Sequence, residues 1–288
     1  MAYTYDLKVV VSGKQVELYK YKKTVWREYK TYNEEAFEKK PKQLDIFEQE
    51  KLKKQRMQFS MNRTKTEIRR LANSNPQLNK FLTLTFAKST TDIKTANYIF
   101  NQFIKRIVYR YPDFKYLAVP EFQQDTDHYG RKKEHGGSVH YHLLCNIKMP
   151  KTNNLKELFD WEKWFALRYW KYGFIKIKDV KQITNMGAYF CKYLGKDMFD
   201  KRMFRKKKFF CSQKLNKPVE MTGYEATSFY DHYISGLTPI FVKTFFSEYA
   251  GTIDYSAFTL PEDIHVNLNI DNQEYDQGKA YFGISEII

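Results

Sequence analysis

From Phe81 to Phe86 the chain alternates, FLTLTF, with Leu82, Leu84 and Phe86 on one side and Phe81, Thr83 and Thr85 on the other. A period of two marks a strand with one face on a core. From Ile93 the period changes. Ile93, Ala96, Phe100, Phe103 and Ile107 recur at helical spacing, so a helix runs to about Arg110, capped by Thr90 or Thr91 and stopped at Tyr111-Pro112. A second strand spans Tyr116 to about Gln123, and a third spans Val139 to about Ile147. The polar, glycine-bearing stretch 124–138 between them reads as a hairpin loop. Asn153 and Asn154 lead into a helix with Leu158, Trp161 and Phe165 on one stripe, ended by Gly173. FIKIK at 174–178 alternates as a fourth strand, and a last helix covers about Asn185 to Phe199.

The order strand, helix, strand, strand, helix, strand, helix is a split βαβ pattern. It predicts an α+β fold with a central, mainly antiparallel five-stranded sheet and helices on one face. Upstream, residues 4–21 read as two strands around Ser12-Gly13-Lys14, a hairpin. Residues 33–73 are charged and helical in flavour, with Lys51, Lys53, Lys54, Arg56, Arg63, Lys65, Arg69 and Arg70. They form either a solvated helix face or an arm that contacts DNA. Downstream, KRMFRKKKFF at 201–210 interleaves basic and aromatic residues, a composition suited to phosphate contacts plus base stacking. No internal repeat and no Pro/Gly/Ser linker is visible. The expected division is a hairpin and basic helical extension over 1–75, a core over 76–200, and a basic, aromatic extension over 201–288.

Charge sharpens the picture. The 288 residues carry 49 Lys+Arg against 33 Asp+Glu, a net +16. A polyanionic partner is the simplest reason, and nucleic acid is the first choice. The opening MAYTYDLKVV lacks the apolar core of a signal peptide, and no run of 18 apolar residues exists, so neither export nor membrane insertion is expected. Cys145, Cys191 and Cys211 are odd in number and contain no CxxC pair, which fits a reducing cytosol and argues against a zinc knuckle or disulfide framework.

Two constellations carry chemistry. The first is His140-Tyr141-His142. On a strand both imidazoles point to one face, about 7 Å apart along it, and Tyr141 points to the other. Such a pair can share a metal ion. Glu121, near the end of the preceding strand, comes beside the histidines if the two strands form a hairpin. A carboxylate with two imidazoles suits Mn²⁺ or Mg²⁺ at a phosphoryl-transfer site. Gln123 is an additional or alternative ligand, and His128 and His135 in the loop are weaker ones. The second constellation, YFCKYLGK, contains two overlapping Y-x-x-K units. On a helix Tyr189, Lys192, Tyr193 and Lys196 share one face. A core stripe would not hold two lysines, which favours a working polar face. A tyrosine nucleophile needs a nearby cation, metal or base at neutral pH. Metal pair, carboxylate, tyrosine and lysine together read as phosphodiester transesterification.

At these residues the sequence resembles the HUH endonuclease superfamily, in particular rolling-circle replication initiators (Rep) of phages and plasmids. FLTLTF resembles the family's first motif strand, HYHLL its metal motif, and YFCKYLGK its two-tyrosine motif, in the family's order, over roughly residues 60–215. The resemblance implies a ferredoxin-like nuclease core. It implies His140 and His142 as metal ligands with Glu121 as the third. It implies Tyr189 as prime nucleophile, Tyr193 as the alternate, and Lys192 and Lys196 as supporting cations. The expected activity is a nick in single-stranded or hairpin origin DNA that leaves a 5′-phosphotyrosine link and a 3′-OH primer. No G-x-x-x-x-G-K-[ST] occurs, so unwinding would fall to a host helicase and extension to a host polymerase, in the cytoplasm of a bacterial host. Competing readings are a relaxase or single-strand transposase with the same chemistry, a non-catalytic RRM-like nucleic-acid-binding protein, and a basic structural or capsid-associated protein.

Overall fold

The computed structural model describes residues 3–27, 45–126, 129–134, 136–192, 201–203, 206–247 and 250–262. They fall into two compact units, Thr64–Asn216 and the combination of Met1–Arg63 with Lys217–Ile288. Both are built on five-stranded sheets whose pairings are all antiparallel, so the fold is α+β.

In the first unit the sheet order is β6 (Gly173–Asp179), β3 (Lys80–Phe86), β5 (Val139–Cys145), β4 (Tyr116–Phe122) and the two-residue β7 (Phe210–Cys211). The strand-like alternation of FLTLTF sorts its side chains as expected. Leu82, Leu84 and Phe86 join Ile175, Ile177, Tyr141 and Leu143 in one core. Helix α2 (Ile93–Arg110) covers that face with Ile93, Ala96, Phe100, Phe103 and Ile107, all buried. Its cap is Asp92 rather than the neighbouring threonines. The carboxylate accepts from the N–H groups of Lys94 and Thr95 and from the Thr95 hydroxyl. The Thr95 bonds hold its acidity below the usual carboxylate range. Helix α3 (Leu155–Phe165), capped by Asn154, runs into a wider turn at Ala166–Trp170 that buries Trp170 in the same core.

The opposite face of this sheet is covered by a different helix. The short α4 (Met186–Cys191) packs there, with Phe190 edge-on to Phe81 at 6.0 Å. The expectation of a helix reaching Phe199 falls on residues 193–200, outside the described ones. The basic segment at 201–210 is used in packing at three places. Phe210 lies against the core beside Phe100, Arg202 spreads over the Phe122 ring at 3.8 Å, and Lys208 donates to the Met203 carbonyl. Pairing β7 onto the edge of β4 turns these side chains toward the sheet.

The second unit has the order β8 (Val219–Thr222), β1 (Tyr3–Ser12), β2 (Gln15–Arg27), β10 (Gly251–Thr259) and β9 (Phe241–Ser247). Residues 1–75 and 201–288, read from sequence as separate extensions, therefore contribute strands to one sheet. Helix α5 (Tyr224–Phe229) covers one face through Ala226 and Phe229, which pack with Val9, Val11, Val16 and Leu18. The boundary between the units falls inside α1 (Ile46–Asn73), whose Lys51, Lys53, Lys54, Arg56 and Arg63 are exposed.

Candidate functional site

The ladder of the first sheet fixes where the expected site residues stand. One row across the strands reads Glu121, His140 and Thr85, and the next reads Val119, His142 and Thr83. Side chains paired this way share a face. Both histidines and Glu121 therefore lie on the face away from α2, and Tyr141 lies on the other. Tyr141 stacks on Phe100 at 4.4 Å and donates its hydroxyl to Asn97. Burial pushes its phenol well above the ordinary tyrosine value, which removes it as a nucleophile.

His142 is held from both sides. Its Nδ1 lies 3.1 Å from the Thr83 hydroxyl and its Nε2 lies 2.5 Å from Glu121 Oε2. His140 differs. Its Nε2 is shielded from solvent and meets no hydrogen-bond partner among the described residues. Burial lowers its pKa below the ordinary imidazole value, His142 adds to the effect, and Glu121 acts against it. The neutral imidazole so favoured is the form that ligates metals. The two rings stand 6.5 Å apart. No three His, Cys, Asp or Glu side chains among the described residues are already splayed around a common centre, since the Glu121 carboxylate is closed onto His142. Gln123 lies just past the end of β4, exposed, with its N–H on the Ser138 carbonyl. His128 and His135 fall outside the described residues.

Tyr189 reaches the same face by way of α4. Asn185 caps this helix through the Ala188 N–H, and Asn73 at the end of α1 binds both Asn185 and the Gly187 N–H. A Cβ on Gly187 would lie 2.2 Å from the Arg69 carbonyl oxygen, so only glycine lets α4 sit this close. Farther along, Cys191 Sγ meets the Lys65 carbonyl at 3.4 Å. Held this way, the half-buried Tyr189 turns its ring edge-on to Phe81 at 5.8 Å, and Phe81 in turn stacks on His142 at 5.6 Å. One aromatic ring thus separates the tyrosine from the histidine. Lys192 follows the helix, exposed, with its N–H on the Tyr189 carbonyl. Tyr193 and Lys196 lie outside the described residues.

Sequence reasoning named neither Thr83 nor Phe81 as part of the site. Both stand on the histidine side of the FLTLTF alternation, and that alternation was the signal that could have found them.

Residues 79–198 match the model of a family described as replication-associated proteins of the ORF2 type. The matched stretch contains Glu121, His140, His142, Tyr189 and Lys192, and also Tyr193 and Lys196. It supports a replication-associated protein of the Rep type. No curated protein and no solved structure matches the chain. No helix among the described residues is long and apolar enough to cross a membrane.

Proposed function

We propose that this protein initiates rolling-circle replication by nicking single-stranded or hairpin origin DNA through metal-dependent transesterification. The observation that carries the reading is the common face: Tyr189 and the group Glu121, His140 and His142 look out from one side of one sheet, joined through Phe81. The match over residues 79–198 supports the same context.

The donor set fits a divalent ion. Two imidazoles and a carboxylate converge, and His140 keeps an unpartnered, shielded nitrogen in the deprotonation state a ligand requires. His140, His142 and Glu121 would hold Mn²⁺ or Mg²⁺. When bound, such an ion supplies positive charge that polarises the scissile phosphate. Tyr189 does the bond-making. Its phenolic oxygen joins phosphorus as the bond from phosphorus to the 3′ oxygen breaks. The phenol loses its proton and the 3′ oxygen takes one up. The products are a 5′-phosphotyrosine and a free 3′-OH. One phosphoester replaces another, so the reverse reaction rejoins the strand. Lys192, one turn from Tyr189, serves as a cation for the phenolate, and Lys196 and Tyr193 serve as second cation and alternate nucleophile. Unwinding and extension fall to a host helicase and polymerase.

The experiment is a denaturing gel of the full chain with labelled single-stranded and hairpin origin oligonucleotides, in Mn²⁺ or in EDTA. The proposal requires a band at the mass of protein plus DNA in Mn²⁺ alone. Oligonucleotide that stays intact under every condition contradicts it.

A further inference from the structure

The rows that carry Glu121, His140 and His142 continue past β3 onto the edge strand β6. Phe174 stands directly across from Thr85, which stands across from His140. Lys176 occupies the same place in the His142 row, and Lys178 lies across from Phe81. All three therefore share the histidine face, since Ile175 and Ile177 between them point into the core. Phe174 is 66% exposed, and Lys178 is exposed beside it. Lys176 bends over the sheet edge to Glu162 at 3.1 Å.

A single exposed phenylalanine is common on protein surfaces. Its position distinguishes this one. It lies two strand spacings, about 10 Å, from His140 along a straight row, so a nucleotide next to a phosphate held at the histidines can reach it. A flat apolar ring that faces outward beside a lysine is the arrangement that takes a base and its phosphate without reading sequence. The basic excess of the whole chain, +16, matches a polyanion in this position.

We infer that Phe174 and Lys178 form a subsite on β6 that binds single-stranded DNA beside the cut, with Phe174 stacking on a base and Lys178 meeting a phosphate. The inference rests on the nicking reading for its location, but binding can be measured apart from cleavage.

The test uses the full chain, in EDTA, with fluorescein-labelled dT20 and its duplex with dA20, read by anisotropy over a series of salt concentrations. Phe174→Ala is expected to weaken dT20 binding about tenfold and leave duplex affinity and the salt slope unchanged. Phe174→Tyr, which keeps the ring, is expected to bind as the parent does. Lys178→Ala is expected to reduce the salt slope by about one. Equal dT20 affinity for Phe174→Ala and the parent overturns the subsite, as does equal weakening on duplex. The metal-dependent adduct assay is run on the same samples. A parent that forms adduct while Phe174→Ala binds dT20 normally refutes the subsite and leaves the nicking reading standing. A parent that forms no adduct while Phe174→Ala loses dT20 binding refutes nicking and upholds the subsite.

Discussion

Glu121 reaches diagonally to His142, its Oε2 2.5 Å from Nε2, although the strand ladder sets Glu121 opposite His140 and Val119 opposite His142. The diagonal is what gathers three side chains from two strands into one group. It leaves His140 Nε2 as the shielded atom without a partner among the described residues. In the proposed function this same carboxylate is shared with a divalent ion. Glu121→Ala is then expected to lower Mn²⁺-dependent nicking by at least about a hundredfold. Affinity for single-stranded DNA should hold, because phosphate contacts by lysine and arginine dominate it. Nicking and anisotropy measured on one preparation check this. Nicking that survives at the parental rate contradicts Glu121 as a ligand.

Thr83 orients His142 from behind, through Nδ1 at 3.1 Å. Groups that hold a ligand's second nitrogen fix its tautomer and ring angle. Thr83→Val keeps the shape and removes the hydroxyl. It is expected to raise the Mn²⁺ concentration needed for half-maximal nicking by about 10- to 100-fold, with saturating metal restoring most of the rate. An unchanged metal requirement would show that the Thr83 bond has no part in the site.

Gly187 controls the seat of α4. An added methyl meets the Arg69 carbonyl at 2.2 Å, and a backbone carbonyl at the end of α1 cannot turn aside as a flexible side chain can. Gly187→Ala should therefore displace the helix that carries Tyr189. Adduct formation is expected to slow by about a hundredfold, the usual cost of misplacing a reacting group by about 1 Å. The melting temperature should fall as well. A variant that forms adduct at the parental rate contradicts the role given to this contact.

Lys80 and Asp179 tie the ends of β3 and β6, with Nζ and Oδ2 2.8 Å apart. The Lys80 bond holds the Asp179 carboxyl below the usual carboxylate range. The unfolded chain therefore takes up a proton, near pH 3.9, before the folded one does. The stability this pair adds is complete above that pH and is lost as pH falls through the lower, folded value. The pair is exposed, so the effect is small. Asp179→Asn should lower the urea midpoint at about pH 7 and match the parent at about pH 2. A midpoint difference of the same size at both would contradict the linkage.

Much of the first unit could be read from the chain because its elements obey one period each. FLTLTF and FIKIK alternate cleanly, and α2 keeps its five buried positions at helical spacing. The placement of His140, His142 and Glu121 on one face followed from the period of two and a hairpin between their strands. Other features depended on contacts distant in sequence. Asp92 displaced the threonines as cap because its carboxylate reaches two backbone N–H groups at once. The seat of α4 depends on Asn73, 114 residues before Gly187, and no local pattern announces that bond. The second sheet joins strands from both ends of the chain, Tyr3–Ser12 and Gln15–Arg27 with Gly251–Thr259. Pairing across such separations leaves no trace in short-range periodicity. The aromatic and basic run at 201–210 was misleading in part. Composition alone does not tell an inward Phe210 from a base-stacking one.

The nucleophile itself is the most direct point of test. Trypsin separates the two tyrosines, because Lys181, Lys192 and Lys196 bound the peptides QITNMGAYFCK and YLGK. The covalent adduct, trimmed by nuclease to a residual nucleotide and digested, is examined by mass spectrometry for the peptide that carries the extra mass. The account predicts the nucleotide on the peptide of residues 182–192, at Tyr189, and no adduct from Tyr189→Phe in a first round of cleavage. A nucleotide found on YLGK alone, with full adduct from Tyr189→Phe, would contradict it.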